Sequence, residues 1–467
     1  MYIQQLYTNC LSEAAYYIES EGEAAIIDPL RDVSSYIELA KSRNATIKYV
    51  FETHFHADFV SGHIDLSQKT NAPIIYGPGA KTNYKVHNAT DGELFALGNI
   101  SIEVLHTPGH TLESSCYLLK DENGKAHAIF TGDTLFVGDV GRPDLSGGNM
   151  SSEELAGILY DTIQNKLMPL PDEVLVYPAH GPGSSCGKNI GPNTHSTIGE
   201  EKKTNYALQP QTRQQFIQSV TKALGTAPRY FPINAKINQQ GYDAIDTIVK
   251  KGTVALDISS FKLKIKEDYL LLDTRTAADF TTGFIPGSIF IGLEGRFAEW
   301  AGTLLPFDKP IILITPKGKE EETVIRLTRV GFDKMQGYLK GGFEAWKKAG
   351  EKIDMIIDIE ADELLMDMPH DPNLMIVDVR RETEYADGHL KHALNLPLNE
   401  MTDIKELAQF EDNQNLYVHC AGGYRSVIAA SLLKRQGVHN LRNVLGGWSR
   451  IIEHEKVNIV KEANLLN

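Results

Sequence analysis

The carboxyl-terminal half of this 467-residue chain repeats itself, and a repeat restricts the possible folds more than any single motif does. The segments that match at an offset of 105 residues are Asp273-Thr-Arg275 with Asp378-Val-Arg380 and Gly341-Gly342-Phe343 with Gly446-Gly447-Trp448. Each copy is predicted to run from a strand through Asp-x-Arg into a helix, and then through another strand and a loop into a further helix. We therefore expect two tandem copies of one α/β module, over residues 246–352 and 353–467.

The two copies differ at the loop between the later strand and its helix. The loop of the second copy begins at Cys420, contains two glycines and ends at Arg425. Residues 314–318, at the corresponding place in the first copy, contain no thiol. Such a loop is typical of a backbone-NH cradle, in which amide dipoles and a guanidinium lower the pKa of the thiol and stabilise a persulfide anion. The alternative is a buried, inert cysteine at a strand end. We predict that Cys420 is a nucleophile in a loop made of Ala421, Gly422, Gly423 and Tyr424.

Residues 1–205 alternate between strand and helix patterns, and their polar motifs follow the ends of strands. Predicted strands cover residues 24–27, 47–52, 100–105, 116–119, 128–130 and 174–177, and a helix covers residues 33–42. Side chains just past strand ends are held by a rigid sheet and remain accessible, so these positions often carry function. We expect a layered α/β domain here. A helical connector over residues 206–245 should follow, with helical periodicity in residues 212–224.

Several of these strand ends carry imidazole or carboxylate side chains. They are His54, His56 and Asp58 in one run, and His110, Asp133 and His180 further along. Such side chains suit a divalent first-row metal. Two histidines and a carboxylate are typical of non-haem Fe(II) oxygenases, whereas three histidines and a water molecule are typical of catalytic zinc sites. These ligands bind only when unprotonated, so acid weakens binding.

The histidine motifs resemble those of the metallo-β-lactamase superfamily, specifically its persulfide dioxygenase branch. The similarity covers residues 1 to about 205 and includes Gly132-Asp133-Thr134, Gly141-Arg142-x-Asp144 and Pro178-Ala179-His180. Gly-Arg-x-Asp after the aspartate motif distinguishes this branch from ordinary hydrolases. The resemblance implies an αββα sandwich.

The resemblance also implies a ligand set. One Fe(II) per chain would be held by His54, His110 and Asp133, with His56 behind the ligands. Asp58 and His180 would then remain from an ancestral second site. The hydrolase relatives have a histidine at position 59, where this chain has Phe59, which cannot coordinate a metal. This substitution argues for one metal with open positions.

The Cys420 loop resembles the active loop of rhodaneses, accompanied by Asp378-Val-Arg380, Gly388-His389 and Gly446-Gly447-Trp448. Four residues separate Cys420 from Arg425, whereas the related phosphatases have five, so the resemblance implies sulfur transfer. The first copy resembles the same fold without its nucleophile, and we expect it to be catalytically silent. The whole order resembles bacterial persulfide dioxygenase–rhodanese fusions of sulfide detoxification.

This resemblance implies O₂-dependent oxidation of a low-molecular-weight persulfide, carried by glutathione, coenzyme A or bacillithiol, to sulfite. Sulfur transfer at Cys420 would then give thiosulfate, and the chain would form a dimer or tetramer. Two further residues have open roles. Arg142 is a candidate for orienting an anionic carrier or sulfur oxyanion, or else it pairs structurally with Asp144. Cys186 is either a redox or sulfur-relay thiol near the metal or an ordinary loop cysteine.

The net charge of −15 opposes binding to nucleic acid or anionic membranes. Four cysteines without CxxC pairs indicate no disulfide framework, and the first residues lack a signal-peptide pattern. We expect a soluble cytoplasmic protein. Two rival functions remain: a thioesterase of the glyoxalase II type, which needs two metals, and a non-catalytic persulfide sensor or sulfur carrier, which needs only Cys420.

Overall fold

The computed structural model describes residues 1–145, 150–222, 224–402, 410, 413–454 and 457–462. The chain separates into two compact units. One comprises Met1–Ile245 with Leu327–Gly331, and the other Asp246–Arg326 with Phe332–Asn467. In the part of the chain described, no helix has the length and apolar character needed to cross a membrane.

Two six-stranded sheets form the centre of the first unit. In spatial order, the strands of the first sheet are Tyr2–Thr8, Glu13–Ser20, Glu23–Ile27, Thr46–Phe51, Ile74–Tyr76 and His87–Asn88. Those of the second sheet are Ser196–Thr197, Leu175–Pro178, Ala126–Gly132, Ser115–Lys120, Ile100–His106 and Leu94–Leu97. Strands therefore form at all six segments where the sequence predicts them.

Helices cover the outer face of each sheet. One core lies between the sheets and joins residues such as Ile18 and Phe51 of the first sheet to Tyr117 and Phe130 of the second. The helices of this unit are Ser34–Ser42, His63–Thr70, Ser152–Thr162 with its π-helical continuation Ile163–Leu167, Ile198–Thr204, Arg213–Thr221 and Phe231–Gln240. The first two pack on one sheet, and Ser152–Thr162 and Arg213–Thr221 on the other. This layering confirms the predicted αββα sandwich.

Two helices form in the described part of the connector, residues 206–222 and 224–245. The first begins after the cap Thr212, as predicted, and ends at Thr221 rather than Leu224, and Ala223 lies outside the described residues. The second, Phe231–Gln240, starts with Pro232 in its first turn, where a missing N–H costs nothing. The sequence analysis predicts helical periodicity only in residues 212–224 and does not predict this second helix.

Each copy in the second unit has a five-stranded parallel sheet. In spatial order these are Ala255–Leu256, Met335–Leu339, Ile311–Ile314, Leu270–Asp273 and Ile289–Phe290 in the first copy, and Ile357–Ile359, Leu441–Val444, Asn415–His419, Leu374–Asp378 and Leu394–Asn395 in the second. His389–Leu390 and Ile459–Val460 form a separate pair.

Helices surround both sheets. Those of the first copy and its approach are Ile245–Gly252, Ile258–Lys266, Ala277–Thr282, Phe297–Leu304, Glu320–Thr328 and Gly342–Lys348. Among the described residues of the second copy, the helices are Ala361–Asp367, Glu382–Ala386, the 3-10 turn Leu398–Glu400, Tyr424–Arg435 and Gly447–Ile451.

The repeated Asp-x-Arg motif forms the same contacts in both copies, and we call these contacts the clasp. Arg380 donates to both carboxylate oxygens of Asp378 and to the carbonyl of Gly388 at 2.7 Å, and its guanidinium lies 4.3 Å from the ring centre of Trp448. The equivalent contacts in the first copy involve Asp273, Arg275, Gly283 and Phe343. Because the first copy forms the clasp although it has no thiol in its loop, we interpret the clasp as structural.

Candidate metal centre and thiol loop

His54, His110 and Asp133 converge at one edge of the sandwich, each just beyond the end of a strand. Nε2 of His54 lies 3.8 Å from Oδ2 of Asp133, and Nε2 of His110 lies 3.5 Å from the same oxygen. All three side chains are buried. The structure thus brings together the three residues predicted as metal ligands.

A neighbouring hydroxyl sets the orientation of the His54 ring. Thr53 Oγ1 donates to Asp28 Oδ2 at 2.9 Å and lies 3.0 Å from His54 Nδ1. Because the hydroxyl hydrogen is used by Asp28, the ring must donate from Nδ1 to Thr53. The lone pair of Nε2 is then directed toward Asp133, as a metal ligand requires.

Backbone carbonyls orient two further rings in the same way. His110 Nδ1 donates to the carbonyl of Arg142 at 2.8 Å, and His180 Nδ1 donates to the carbonyl of Ser12 at 3.1 Å. In its neutral form each ring therefore carries its free lone pair on Nε2, and Nε2 of His180 lies 3.4 Å from Asp133 Oδ1. The neutral forms of His54, His110 and His180 thus have the tautomer that a metal ligand requires.

The donors fit a divalent cation. Asp133 is buried, and no described group donates a well-formed hydrogen bond to either of its oxygens. Burial and the neighbouring imidazoles lower the pKa of His54 well below its ordinary value, so its ring is neutral. A buried carboxylate without a donor is costly unless a cation compensates it. His54, His110 and Asp133 would hold that cation.

His56 points to a different set of partners. Its Nε2 lies 3.0 Å from Asp28 Oδ1 and 3.8 Å from Glu52 Oε2, and its ring packs 4.3 Å from that of Phe59. Burial lowers its pKa, but the carboxylates of Asp28, Glu52 and Asp58 outweigh this and raise the pKa to about 10. These carboxylates favour the charged form of His56, and its Nε2 faces Asp28 and Glu52 rather than the predicted ligand Asp133.

Asp58, His180 and Cys186 form a second group of donors beside Asp133. Their ligand atoms lie within 4.8 Å of one another, and His180 Nε2 is 3.4 Å from Asp58 Oδ2. Cys186 is buried, and burial raises the pKa of its thiol. The structure thus places Cys186 beside the predicted metal ligands, and its role as a redox or sulfur-relay thiol stays a prediction.

The thiol of Cys420 lies at the start of a helix in the second unit. The amide of Gly423 donates to Cys420 Sγ at 3.1 Å, and the Ser426 hydroxyl lies 3.6 Å from the same sulfur. Behind it, the amide of Trp448 donates to the Cys420 carbonyl, and a Cβ at Gly447 would come within 2.2 Å of that oxygen. The Gly-Gly-Trp motif thus fixes the backbone of Cys420.

Arg425 binds a carboxylate that the sequence reasoning missed. Its two terminal nitrogens donate to the two oxygens of Glu384 at 2.7 and 2.8 Å. Glu384 lies in the first turn of the helix that follows the Asp-x-Arg motif, far from the loop in sequence. This bidentate pair holds the guanidinium in one orientation next to the thiol loop.

Strand register identifies the position in the first copy that corresponds to Cys420. Asp273 pairs with Ile314 just as Asp378 pairs with His419, so Thr315 occupies the place of the nucleophile. At the same offset Glu320 replaces Arg425. The first copy therefore lacks both the thiol and the cation expected to stabilise an anion.

The first copy contributes instead to the surroundings of the second copy's loop. The Tyr424 hydroxyl donates to the carbonyl of Gly292 at 2.8 Å. A pocket of about 290 Å³ lies beside it. Its lining includes Thr276, Thr281, Gly292, Glu294, Gly422, Gly423, Tyr424 and Gly446.

Known proteins match both parts of the chain. A model of the metallo-beta-lactamase superfamily matches residues 8–180, and a model of the rhodanese-like domain matches residues 258–349 and 360–454. A metallo-beta-lactamase from Staphylococcus aureus subsp. aureus COL is 34% identical with a TM-score of 0.64, covering 73% of this chain and 99% of that chain. The chain belongs to the metallo-beta-lactamase superfamily. Two rhodanese-like domains follow its superfamily domain.

Two curated relatives of this metallo-beta-lactamase domain have names of hydrolases. A probable hydroxyacylglutathione hydrolase of Schizosaccharomyces pombe is 30% identical over 211 residues, which are 40% of this chain and 78% of the relative. The cytoplasmic hydroxyacylglutathione hydrolase of Arabidopsis thaliana is 34% identical over 179 residues, 37% of this chain and 65% of the relative.

Arg142 of this superfamily member makes two separate contributions. Its guanidinium donates to Asp144 at 2.9 and 2.7 Å and to the carbonyls of Ser185 and Gly225, and its own carbonyl accepts from His110. The geometry matches the structural pairing considered as the alternative to a substrate contact. A role in orienting an anion stays a prediction.

Proposed function

We propose that this chain is a persulfide dioxygenase fused to a sulfurtransferase, with one Fe(II) held by His54, His110 and Asp133. The observation that supports this most directly is the convergence of two imidazoles and one carboxylate on a chain that also has the Cys420 loop. Such a ligand set leaves coordination positions open for O₂ and a sulfur ligand, and the thiol loop indicates that the substrate carries transferable sulfur.

In the proposed first reaction, a low-molecular-weight persulfide, O₂ and water give the free thiol, sulfite and two protons. Bound Fe(II) would supply the redox chemistry that allows O₂ to react with the terminal sulfur. Thr53 and the Arg142 carbonyl accept from Nδ1 of His54 and His110, so the neutral rings carry their lone pairs on Nε2, and burial of the ligands excludes bulk water. The carrier would be glutathione, coenzyme A or bacillithiol.

In the proposed second reaction, the Cys420 thiolate attacks the terminal sulfur of a persulfide. The old S–S bond breaks, the carrier thiolate leaves, and Cys420 holds the sulfur as a persulfide. Sulfite then attacks that sulfur, which forms thiosulfate and restores the Cys420 thiolate. The Gly423 amide, which donates to Sγ, would stabilise the anionic forms. Joining both centres in one chain raises the local concentration of sulfite at the thiol.

The Cys420→Ser variant tests the coupling of the two reactions. It should keep O₂ uptake with glutathione persulfide and shift the product from thiosulfate to sulfite. Cys10→Ser, which removes a thiol elsewhere, is the matched control and should give wild-type products. Thiosulfate output from Cys420→Ser equal to that of the wild type would refute the sulfur transfer at this residue.

A second candidate function is thioester hydrolysis. It is supported by the hydroxyacylglutathione hydrolase relatives and by the donors Asp58, His180 and Cys186, which lie beside Asp133 and could complete a second metal site. The two candidates differ in their need for oxygen and in metal content. Hydrolysis of a glutathione thioester under nitrogen, with two metals per chain and no persulfide-dependent O₂ uptake, would establish the hydrolase and refute the dioxygenase.

A further inference from the structure

The loop that carries His54 and Asp58 is held by a side chain from the connector. We propose that Asn238, in helix Phe231–Gln240, is a positioning residue for the metal centre. This proposal rests on the proposed function only in placing a metal at His54, and it holds for any metal bound there.

Asn238 uses its whole amide group on the ligand loop. Its Nδ2 donates to the carbonyl of His56 at 2.7 Å and to that of Phe59 at 2.8 Å, and its Oδ1 accepts from the amide of Ser61 at 2.9 Å. The side chain is fully buried. One amide thus fixes three backbone positions in a stretch of six residues.

The loop needs such an external partner because it has no regular structure of its own. The strand before it ends at Phe51, and the next helix begins at His63. Most residues between them are buried, so their backbone N–H and C=O groups require partners within the protein. Asn238 supplies two donors and one acceptor to this segment, a combination that only an amide side chain offers in so compact a form.

The helix of Asn238 is itself anchored near the loop. The hydroxyl of Tyr84 donates to the Asn238 carbonyl at 2.6 Å and lies 2.7 Å from Nε2 of His63. Just beyond the helix, the Tyr242 hydroxyl donates to the carbonyl of Ser61, the residue whose amide Asn238 binds. Tyrosine hydroxyls therefore hold the main chain of Asn238 and that of Ser61, and the Asn238 side chain links the connector helix to the loop.

A residue that positions the metal ligands affects the geometry of the metal site, whereas a residue that only supports the fold affects its stability. Without Asn238, the backbone after His54 loses the contacts at His56 and Phe59 that set its path. The direction of the His54 ring relative to Asp133 should then vary, which alters the symmetry of the coordination as well as its strength. Removal of residues that orient metal ligands commonly weakens metal binding about 10–100-fold.

The test compares two aspartate substitutions in the same helix of the full chain. Asn238→Asp replaces the donor to both carbonyls with an oxygen. Asn234→Asp is the matched control, because Asn234 is equally buried one turn away and neither of its amide atoms has a hydrogen-bond partner among the described residues. Both variants bury a carboxyl group, and Asn238→Asp also loses its bonds to the two carbonyls, so the stability of both variants is measured beside their metal binding.

Metal binding and geometry are measured with Co(II) as the probe, by competition titration and by the d–d absorption at saturating metal. Asn238→Asp should bind Co(II) at least about tenfold more weakly and show a shifted d–d spectrum, while Asn234→Asp keeps the wild-type affinity and spectrum. Equal affinities and spectra in both variants, or equal losses in both, would overturn the proposal.

Tyr242→Phe keeps the assignment testable if Asn238→Asp does not fold. It removes only the hydroxyl that donates to the Ser61 carbonyl. It should change the d–d spectrum in the same direction by a smaller amount, and a spectrum identical to that of the wild type would count against the proposal. These readouts need no turnover. A wild-type protein that binds Co(II) at this site but consumes no O₂ with persulfides would refute the dioxygenase and leave the result for Asn238 unaffected.

Discussion

Replacing Thr53 by valine should weaken metal binding at His54 without changing any ligand. Valine preserves the shape of threonine but has no hydroxyl. The variant therefore loses the acceptor for His54 Nδ1 at 3.0 Å and the donor to Asp28 Oδ2 at 2.9 Å. The backbone amide of residue 53 still donates to Asp28 Oδ1, so the path of the chain is retained.

The size of the effect follows from the burial of the ring. Only 2% of His54 is exposed, so its Nδ1–H finds no water when the hydroxyl is gone. A buried donor without a partner costs about 1–3 kcal/mol. In the metal-free protein the ring can change tautomer and avoid this cost, so most of it falls on the metal-bound state. Since about 1.4 kcal/mol corresponds to a factor of ten, we expect metal affinity to fall about 10–100-fold.

Competition titration with Fe(II) under anaerobic conditions measures this loss. Thr107→Val is the matched control, because the Thr107 hydroxyl is also buried but contacts Cys116 and Thr134 rather than a ligand. It should bind metal as the wild type does. An affinity of Thr53→Val within threefold of the wild type, or an equal loss in Thr107→Val, would refute the role of Thr53 in orienting the ring.

Three further predictions address the other parts of the chain. Arg380→Met and Arg275→Met should each destabilise their own copy by about 3–5 kcal/mol, because each leaves a buried aspartate unpaired. Urea unfolding followed by tryptophan fluorescence measures the free energy of unfolding. An effect confined to Arg380→Met would contradict a structural role shared by both copies. Tyr424→Phe should slow thiosulfate formation from sulfite and persulfide less than tenfold, because the hydrogen bond to Gly292 only supports the loop. The variant should leave O₂ uptake unchanged, and altered uptake would contradict a role of Tyr424 confined to the thiol loop. Dialysis against a chelator should abolish O₂ uptake but not sulfur transfer, and loss of both activities would show that the two centres are not chemically separate.

The sequence predicts that His54, His110 and Asp133 lie together, and the structure brings them together because the fold links their motifs. His54 follows the strand Thr46–Phe51 of one sheet, whereas His110 and Asp133 follow the strands Ile100–His106 and Ala126–Gly132 of the other. These side chains are far apart along the chain, and they meet because the two sheets pack face to face. The same logic places Cys420, which follows a central strand and opens a helix.

The support for these residues could not be predicted in the same way. The buried face of helix Phe231–Gln240 is formed by Phe231, Asn234 and Asn238, so amides occupy positions where apolar residues would have indicated a buried helix. The contribution of Arg142 to His110 comes from its backbone carbonyl, which any residue type would offer. A sequence pattern predicts where side chains lie, but main-chain groups make many of the contacts at this candidate centre. Such contacts cannot be predicted from residue types.

The pairing of Glu384 with Arg425 was missed for a different reason. Forty-one positions separate the two residues, and nothing in the motif around the thiol indicates which carboxylate will approach the guanidinium. Only the packing of one helix against the start of another brings them together. Local sequence therefore predicts the nucleophile more readily than the groups that tune it.

The clasp has a consequence for how such a chain can change during evolution. The clasp around Arg275 forms in the first copy although its loop has no thiol. The loop that corresponds to residues 420–425 can therefore change in sequence in either copy while the fold of that copy is retained. Thr315 and Glu320 occupy the places of Cys420 and Arg425 on that intact scaffold. A duplicated domain of this kind can lose its chemistry in one copy and keep its architecture, which leaves a folded surface on which a new recognition function can arise.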